Sequence, residues 1–455
     1  MGTTADKLNR LLNTKEGIRQ ELNRAYATEE ISTSDTFNSY IQKLEEHPYY
    51  LKGLVEGTIE NIKLSNALSI GNFAFTGCSS LTEVSFPNAT SINSYSFYQC
   101  SNLTSVSIPN ATSIGDSAFD SCSSLTSVSF PEATSVNYGV FRYCSGLTKA
   151  SFPEATSIGQ EAFYACSSLT EVSFPKVASI DGYAFNGCSS LTSVSFPLAT
   201  SIGQYAFRDC SSLTSVSFPK VTSIGTYAFN KCSSLTSVSF PLITGIGSSV
   251  FYSCSSLTEV SFPKVKDIGQ YAFRDCSGLT SVSFPEVTSI GNYAFQSCSS
   301  LTEVSFPKVT SIGPILSIGS AAFENCSGLT SVSFPKAISI GSSAFYGCSG
   351  LTEVTDASFP EVTKIGNYAF QNCSSLTSVS FPKVTRIGEY AFSSCSSLTT
   401  IYVGTNTSTV CTLSNTSAFN GCTKLTNIYV PASLVDNYKS ATNWSNYASK
   451  IKVAP

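Results

Sequence analysis

The sequence has very little histidine and few charged residues. Its 455 residues include a single histidine, His47, only 12% of them are Asp, Glu, Lys or Arg, and the net charge is −4. Because the only histidine stands next to Pro48, outside the repeated part of the chain, a Ser-His or Cys-His nucleophile is excluded within the repeats. A weakly acidic chain also lacks the basic surface that attracts nucleic acid. We therefore expect a protein that is not an enzyme, uses no cofactor or metal and binds no nucleic acid.

Long apolar runs are missing as well. No stretch approaches the roughly 18 apolar residues that a membrane span requires, and the N-terminus is polar without the apolar segment of a secretory signal. Phosphate-binding glycine loops and C-x-x-C zinc motifs are also absent from the sequence. The sequence thus predicts no membrane insertion and no signal peptide.

What the sequence has in abundance is one repeated unit of 22 residues. Cysteine, taken as position 1, recurs every 22 residues from Cys78 to Cys298, and later cysteines continue the series across short insertions. Apolar residues recur at positions 4, 7, 9, 12, 15, 19 and 20, and most other positions are Ser, Thr or Gly. Self-similarity at this period predicts a solenoid of stacked coils, since one coil alone cannot bury its apolar face.

Each unit predicts a short strand, a tight turn and a turn of helix. Residues 216–218, Val-Ser-Phe, alternate with a period of two, which suits a strand with one buried face, and the proline at position 10 ends it. Gly, Asn or Asp at position 16 predicts a residue with positive φ. The pattern x-x-A-F-x-x at positions 17 to 22 predicts one helical turn that buries its Phe.

The seventeen cysteines stand mostly one per coil at a fixed position instead of in pairs. That placement favours a packing role, in which a buried free thiol behaves as a small apolar side chain. Stacked neighbours would also be close enough to bridge, so disulfide formation stays open from the sequence alone.

The chain divides into three predicted regions. Residues 1–55 predict a helical hairpin, which either covers the end of the solenoid or serves as an attachment module, with a homo-oligomer contact through residues 5–46. Residues 56–431 form the solenoid of about seventeen coils. Residues 432–455 predict a helical cap over its other end, because exposed ends must be covered for solubility.

The period breaks at three insertions. Residues 311–319 add six residues at the turn, and residues 355–357 add three just after Val354, which predicts a bulge in the strand. The third break is the loop of residues 404–415, which holds the off-register Cys411.

The assembled unit, C-x-x-L-x-x-V-x-F-P-x-x-(A or V)-x-x-I-G-x-x-A-F-x-x-C, resembles the BspA-type leucine-rich repeat family over residues 56–431. The resemblance implies an α/β leucine-rich-repeat solenoid, right-handed, with a parallel β-sheet on one face and short helical turns on the other. It also implies adhesion and ligand binding at microbial surfaces, with no catalytic residues. The closing I-Y-V-P-A-S-L-V-D-N-Y stretch is similar to the terminal cap of such proteins from gut bacteria.

The N-terminal stretches L-N-T-K-E-G-I-R-Q-E-L and S-D-T-F-N-S-Y-I-Q-K-L resemble a short leader of prophage-encoded tail and fibre proteins. Secreted family members are expected to carry an export signal, and the sequence shows none. We therefore expect a virion or cell-surface location, with secretion as the alternative.

Candidate ligand contacts are predicted where the coils differ from one another, at positions 11, 17, 18, 21 and 22. Tyr, Ser, Asn and Arg at such positions are typical of adaptable binding surfaces. The octapeptide G-Q-Y-A-F-R-D-C, however, occurs identically at 203–210 and 269–276, which indicates copying of coils and leaves drift as the alternative. The candidate residues are Tyr183, Tyr205, Arg208, Asp209, Tyr227, Tyr271, Arg274 and Asp275.

These features favour a non-enzymatic binding protein that recognises a protein or glycan on a cell surface. A structural spacer rod is the alternative. A third reading is an ice- or glycan-binding ladder of hydroxyls on the strand face, against which stands the plain role of keeping an exposed sheet soluble. That ladder includes Thr192, Thr214, Thr236, Ser195, Ser217 and Ser239.

Overall fold

The computed structural model describes residues 60–64, 67–309 and 319–455. The chain falls into two compact units, Met1–Lys220 and Val221–Pro455. They are called unit 1 and unit 2 below, and both consist of the same kind of coil.

Three of the sequence predictions lie outside the described residues. They are the helical hairpin over residues 1–55, the oligomer contact through residues 5–46 and, apart from Gly319, the extruded loop of residues 311–319.

Most described coils contain two short parallel strands, one at positions 6–8 and one at positions 14–15. The first confirms the predicted strand: Val194 at its centre is buried, whereas Ser193 and Ser195 on either side face solvent. Val194 pairs in parallel with Val216, one repeat later, so the register of the sheet equals the sequence period. The sequence pattern does not predict the second strand, because two residues are too few to show an alternation.

The first strands are called row A and the second strands row B. Row A of unit 1 comprises Asn61–Lys63, Glu83–Ser85, Ser105–Ser107, Ser127–Ser129, Lys149–Ser151, Glu171–Ser173, Ser193–Ser195 and Ser215–Ser217. Row B of unit 1 comprises Ser69–Ile70, Ser91–Ile92, Ser113–Ile114, Ser135–Val136, Ser157–Ile158, Ser179–Ile180 and Ser201–Ile202.

Unit 2 repeats this arrangement, with longer strands near its C-terminal end. Its row A comprises Ser237–Ser239, Glu259–Ser261, Glu303–Ser305, Ser331–Ser333, Glu353–Val354, Ser378–Phe381, Thr400–Val403, Asn427–Val430 and Ile451–Val453. Its row B comprises Ser223–Ile224, Gly245–Ile246, Asp267–Ile268, Ser289–Ile290, Ser339–Ile340, Lys364–Ile365, Arg386–Ile387 and Thr412–Leu413.

Two columns of phenylalanine rings form much of the core. Rings at position 20 stack face to face, as Phe163 and Phe185 do with centroids 5.2 Å apart. Rings at position 9 form the second column, in which Phe152 and Phe174 lie 5.3 Å apart. Phe163 also meets Phe174 edge-on at 5.8 Å, so the two columns contact each other. Aromatic pairs of this geometry add to the free energy gained by burying apolar surface.

The repeat cysteines are free thiols, and their burial confirms the predicted packing role. Every cysteine is buried except Cys78, which is half-buried. The thiol of Cys188 donates a hydrogen bond to the carbonyl oxygen of Phe163 in the preceding coil at 3.2 Å, and most other coils repeat this contact. Burial raises the pKa of the Cys254 thiol to about 12, so the thiol stays protonated at neutral pH.

The predicted positive φ at position 16 is wrong. Left-handed residues stand instead at positions 18 and 22, where Tyr183 has a φ of 59° and Asp209 a φ of 58°. In most coils with glycine at position 16 the preceding coil approaches closely there, whereas three coils carry Asn93, Asn137 or Asp181 at that position. A Cβ on Gly203 would lie 2.4 Å from the carbonyl carbon of Asp181 in the preceding coil.

The insertion at residues 355–357 interrupts the strand after Val354, and hydrogen bonding to the preceding coil resumes where Phe334 N donates to Ser358 O at 2.8 Å. It shortens the strand to Glu353–Val354, and the N–H of Ser358 donates to the carbonyl of Thr355 at 3.0 Å, which closes a turn. Phe359 still stacks on Phe334 at 5.5 Å. The phenylalanine column therefore passes the insertion unbroken.

The C-terminal segment differs from the predicted helical cap. The one α-helix among the described residues is α1, Val435–Ser440, and the chain ends on strand Ile451–Val453, which pairs with Asn427–Val430 and extends row A. The remaining helical turns are 3-10 helices at Thr416–Phe419, Ala432–Leu434 and Trp444–Lys450.

Aromatic side chains join this segment to the last coils. Trp444 Nε1 donates to the carbonyl of Cys411 at 2.6 Å, and the N–H of Cys411 donates to the Tyr438 hydroxyl at 2.9 Å. Tyr447 meets Phe419 edge-on at 5.4 Å. The position-20 column thus ends against the C-terminal segment.

Candidate binding surface

The variable positions 17 to 22 lie on a face built from consecutive turns, called the turn face. Its N–H groups at positions 18, 20 and 22 donate to the next coil, as Tyr183 N does to Gln204 O at 2.9 Å. The intervening N–H groups close turns within their own coil, as Asn186 N does to Tyr183 O at 3.1 Å. The predicted helical turn is wrong, because alternate N–H groups bond to the neighbouring coil and not to the fourth residue back.

Left-handed backbone stands at positions 18 and 22, and several side chains at positions 18, 21 and 22 reach the surface, such as Tyr205, Arg208 and Asp209. Such φ values are unfavourable for residues other than glycine, and the bonds between coils hold them in place. Ala184 and Phe185, at positions 19 and 20, are fully buried. The face therefore combines a fixed backbone with side chains that differ from coil to coil.

In unit 1 the structure brings together four of the predicted site residues. Tyr183 and Tyr205 stack with ring centroids 4.7 Å apart. The guanidinium of Arg208 lies over the Tyr205 ring at 5.6 Å, and its Nε is 3.1 Å from Asp209 Oδ2. The four residues form one continuous patch.

In unit 2 the same octapeptide makes different contacts. Arg274 lies between the rings of Tyr252 and Tyr271, 5.5 Å from each centroid, and its Nε is 3.5 Å from Asp275 Oδ2. Tyr271 stacks on Tyr293 in the next coil at 5.0 Å. Tyr252 and Tyr293 are contacts that sequence reasoning missed, although both recur at positions 21 and 18 of the repeat.

Tyr227, the remaining predicted residue, occupies position 18 two coils before Tyr271. Its φ is 59°, its N–H donates to Ser248 O at 3.2 Å, and it is half-buried. Ser249 occupies position 18 in the coil between them and is buried. The structure therefore places Tyr227 on the turn face but not against Tyr271.

The most extensive polar cluster on the turn face was not predicted. Arg142 donates from Nε to Asp120 Oδ2 at 2.9 Å and from Nη1 to Glu161 Oε2 at 3.0 Å. The side chain of Asp120 is only 1% exposed, and Tyr138 and Tyr143 lie under the guanidinium at 5.9 and 5.5 Å. The sequence signal was available, because Asp120 and Arg142 stand at position 21 of adjacent coils.

The electrostatics of this cluster favour its charged form. Burial alone lowers the pKa of Arg142, but hydrogen bonds to Asp120 and Glu161 raise it overall. Burial, followed by the nearby Glu161 carboxylate, raises the pKa of Tyr138. Arg142 is therefore a paired structural charge.

The threonines of the hydroxyl ladder on the strand face bond to the scaffold. Thr214 Oγ1 donates to the carbonyl of Thr192 in the preceding coil at 3.0 Å, and position-5 threonines in many other coils do the same. Charged side chains also form ion pairs between coils. Lys149 Nζ lies 2.9 Å from Glu171 Oε2, and Lys176 Nζ lies 2.6 Å from Glu154 Oε2.

The described residues offer no metal site, since no group of three or more His, Cys, Asp or Glu residues among them could hold an ion. Within the same residues, no helix has the length and apolar character needed to cross a lipid bilayer.

A solved structure shares the fold of this chain. A leucine-rich repeat protein from Bacteroides ovatus is 26% identical over 87% of this chain and 92% of its own, with a TM-score of 0.62. A leucine rich cell surface protein from Faecalibacterium prausnitzii is 25% identical over 88% of this chain and 92% of its own, with a TM-score of 0.36. No curated protein sequence matches this chain.

A family description covers nearly all of the described chain. The model of the BspA type leucine rich repeat region (6 copies) matches residues 55–157, 156–277, 200–316 and 316–448. The comparisons thus indicate a repeat solenoid and no catalytic family. The chain belongs to the BspA-type leucine-rich repeat family.

Proposed function

We propose that the protein is a non-enzymatic binding protein displayed on a phage particle or microbial cell surface, with the turn face as its recognition surface. Leucine-rich repeat solenoids commonly offer extended surfaces to partners. The partner we propose is a protein or glycan on a cell surface.

One observation carries the proposal: Arg208 and Arg274 are held over tyrosine rings on the turn face and remain more exposed than Arg142. Their side chains are 38% and 36% exposed, and the Nε of each lies near the carboxylate of the next residue, Asp209 at 3.1 Å and Asp275 at 3.5 Å. Arg142, at the same repeat position, instead bonds two carboxylates and is 27% exposed. A guanidinium fixed over an aromatic ring loses little entropy when it binds a ligand.

The proposal also covers the N-terminal and C-terminal regions of the chain and the location of the protein. We infer that residues 1–55 attach the protein to a particle or cell, residues 56–431 present the turn face, and residues 432–455 close the solenoid. Secretion is the alternative location.

The second candidate function is a spacer rod, which the identical octapeptides at 203–210 and 269–276 favour. Identical coils imply copying without selection for a ligand. A ligand-binding hydroxyl ladder has less support, because the position-5 threonine hydroxyls donate to backbone carbonyls, as Thr214 does to Thr192.

Alanine at Tyr205, Arg208, Tyr271 and Arg274 together tests the proposal. The labelled full-length protein is applied to a panel of intact bacterial cells and to a glycan array, beside a control with alanine at four exposed serines of row A. We expect at least a tenfold loss of binding for the first variant and less than a twofold change for the control. Equal binding by both variants, or no binding by the wild type, would support the spacer.

A further inference from the structure

An open surface cavity of about 490 Å³ lies at the C-terminal end of unit 2, and no arginine lines it. It is within the size range of small-ligand sites in proteins. Its lining includes Thr416, Ser417, Phe419, Asn420, Thr423 and Tyr447.

The cavity lies where the row of stacked turns that forms the turn face ends. In the preceding coil, the N–H of Ser394 at position 22 donates to the carbonyl of Asn420 at 2.7 Å. Gly421 is the next residue at position 22, and the described residues after it, 422–455, form no further turn of this kind. The C-terminal segment takes the place of that coil only over the core, where Tyr447 contacts Phe419.

Two backbone groups at the rim of the cavity already have side-chain partners. Asn415 Oδ1 accepts the N–H of Ser417 at 3.0 Å, and the Tyr447 hydroxyl donates to the carbonyl of Thr416. Of these two groups, a peptide that extended the turn face would need the N–H of Ser417, because position-18 N–H groups donate to the next coil, as Tyr183 N does to Gln204 O. The side chains of the rim are further groups available for recognition.

Those side chains point to a neutral ligand rich in hydroxyl groups. None of the lining residues is charged, while Thr416, Thr423 and Asn420 are exposed donors and acceptors beside the Tyr447 ring. The hydroxyl of Ser417 has no hydrogen-bond partner. An aromatic ring next to amide and hydroxyl groups suits a pyranose, which has both an apolar C–H face and a rim of hydroxyls.

We propose that this cavity binds a neutral saccharide of one or two pyranose units. The site does not depend on the arginines of the proposed recognition surface, so either can fail without the other. It would give the protein a second contact at the end of the solenoid.

The test uses saturation-transfer NMR and calorimetry on the full chain with the methyl glycosides of glucose, galactose, mannose and N-acetylglucosamine. Thr423→Trp fills the cavity, and Ser396→Trp is the matched control, because Ser396 is exposed at the same repeat position one coil earlier. We expect at least one glycoside to bind, with at least a tenfold loss for Thr423→Trp and less than twofold for Ser396→Trp. Asn420→Ala, a milder change, should weaken binding at least threefold.

Three results would overturn the proposal. The first is no saturation transfer to any of the four glycosides, and the second is equal affinity of the two tryptophan variants. The third is tighter binding of glucuronate, or of a peptide copied from residues 225–231, than of every neutral sugar. Thermal unfolding of each variant shows whether a loss of binding reflects misfolding, and Asn420→Ala decides if Thr423→Trp fails to fold.

Discussion

The thiol of Cys254 lies 3.1 Å from the carbonyl oxygen of Phe229, 25 residues earlier in the chain. The same carbonyl accepts the N–H of Cys232 at 3.2 Å and so closes a turn in its own coil. One carbonyl thus joins two coils. The cysteine column is a hydrogen-bonding element of the solenoid as well as part of its apolar core.

Thiol reactivity should follow this burial. At pH 8 we expect a thiol reagent such as Ellman's to modify few cysteines of the native protein, with the half-buried Cys78 first. Buried, protonated thiols react slowly because the thiolate is the nucleophile. In denaturant without reductant, all 17 should react. A markedly lower number would reveal disulfides and contradict the free-thiol column.

Stability should fall steeply in alkali. The pKa of Cys254 is raised from about 9 to about 12, so between these values the unfolded chain loses a thiol proton that the folded chain keeps. Unfolding then releases protons, and the free energy of unfolding falls as pH rises, by up to about 1.4 kcal/mol per pH unit for each such thiol. Urea unfolding at pH 7, 9 and 10 measures this. Cys254→Ala should lose less stability over that range than the wild type, and parallel pH profiles would count against the mechanism.

Glycine at position 16 should be far less replaceable than glycine in the strand. A Cβ on Gly269 would lie 2.7 Å from the backbone of Gly247, whereas a Cβ on Gly245 meets nothing closer than 3.7 Å. We expect Gly269→Ala to cost about 1–3 kcal/mol and Gly245→Ala to be near neutral. Urea unfolding of the two variants checks the difference. Equal stabilities would mean that the coils do not approach as closely as described.

Replacing a phenylalanine of the position-20 column with alanine should lower the free energy of unfolding. Phe229 is fully buried, and its ring stacks on Phe251 at 5.7 Å and contacts Phe240 at 5.9 Å. We expect Phe229→Ala to lower the free energy of unfolding of unit 2 by about 3–5 kcal/mol, because it leaves a cavity. Leu242→Ala, at a side chain that is 36% exposed, is the control and should cost less than about 1 kcal/mol. A similar loss for both would place Phe229 outside the core.

The repeat made the core and the first strand predictable. Position-specific apolar residues such as Val194 and Phe185 appear in coil after coil, so one pattern reports many buried sites. The conformation of positions 16 to 22 was not predictable from the same pattern. The need for glycine at position 203 comes from its short distance to the neighbouring coil and not from its own φ. The repeat pattern of the sequence does not show such contacts between coils.

The candidate site was predictable only as a set of variable positions. Tyr205, Arg208 and Asp209 are adjacent in the sequence and also in the structure. Arg274 has the same neighbours in sequence, yet the preceding coil gives it a second ring, Tyr252. The contacts of an identical octapeptide thus depend on the coil beside it. For the same reason the sequence did not predict the partners of Arg142, since Asp120 and Glu161 belong to neighbouring coils.

Removing Arg142 should destabilise unit 1, whereas removing Arg208 should not. Arg142→Met leaves Asp120, whose side chain is 1% exposed, without its charged partner, and we expect a loss of about 2–4 kcal/mol in the free energy of unfolding. Arg208→Met breaks no hydrogen bond of its Nε and should cost less than about 1 kcal/mol.

A double-mutant cycle separates the buried charge from lost packing. Adding Asp120→Asn to Arg142→Met removes the unpaired carboxylate, so it should restore much of the lost stability, although Asp120→Asn alone is destabilising. Urea unfolding of the four proteins gives the coupling energy, which we expect to exceed about 1 kcal/mol. Additive losses would mean that Arg142 acts through its contacts with Tyr138 and Tyr143 and not through Asp120.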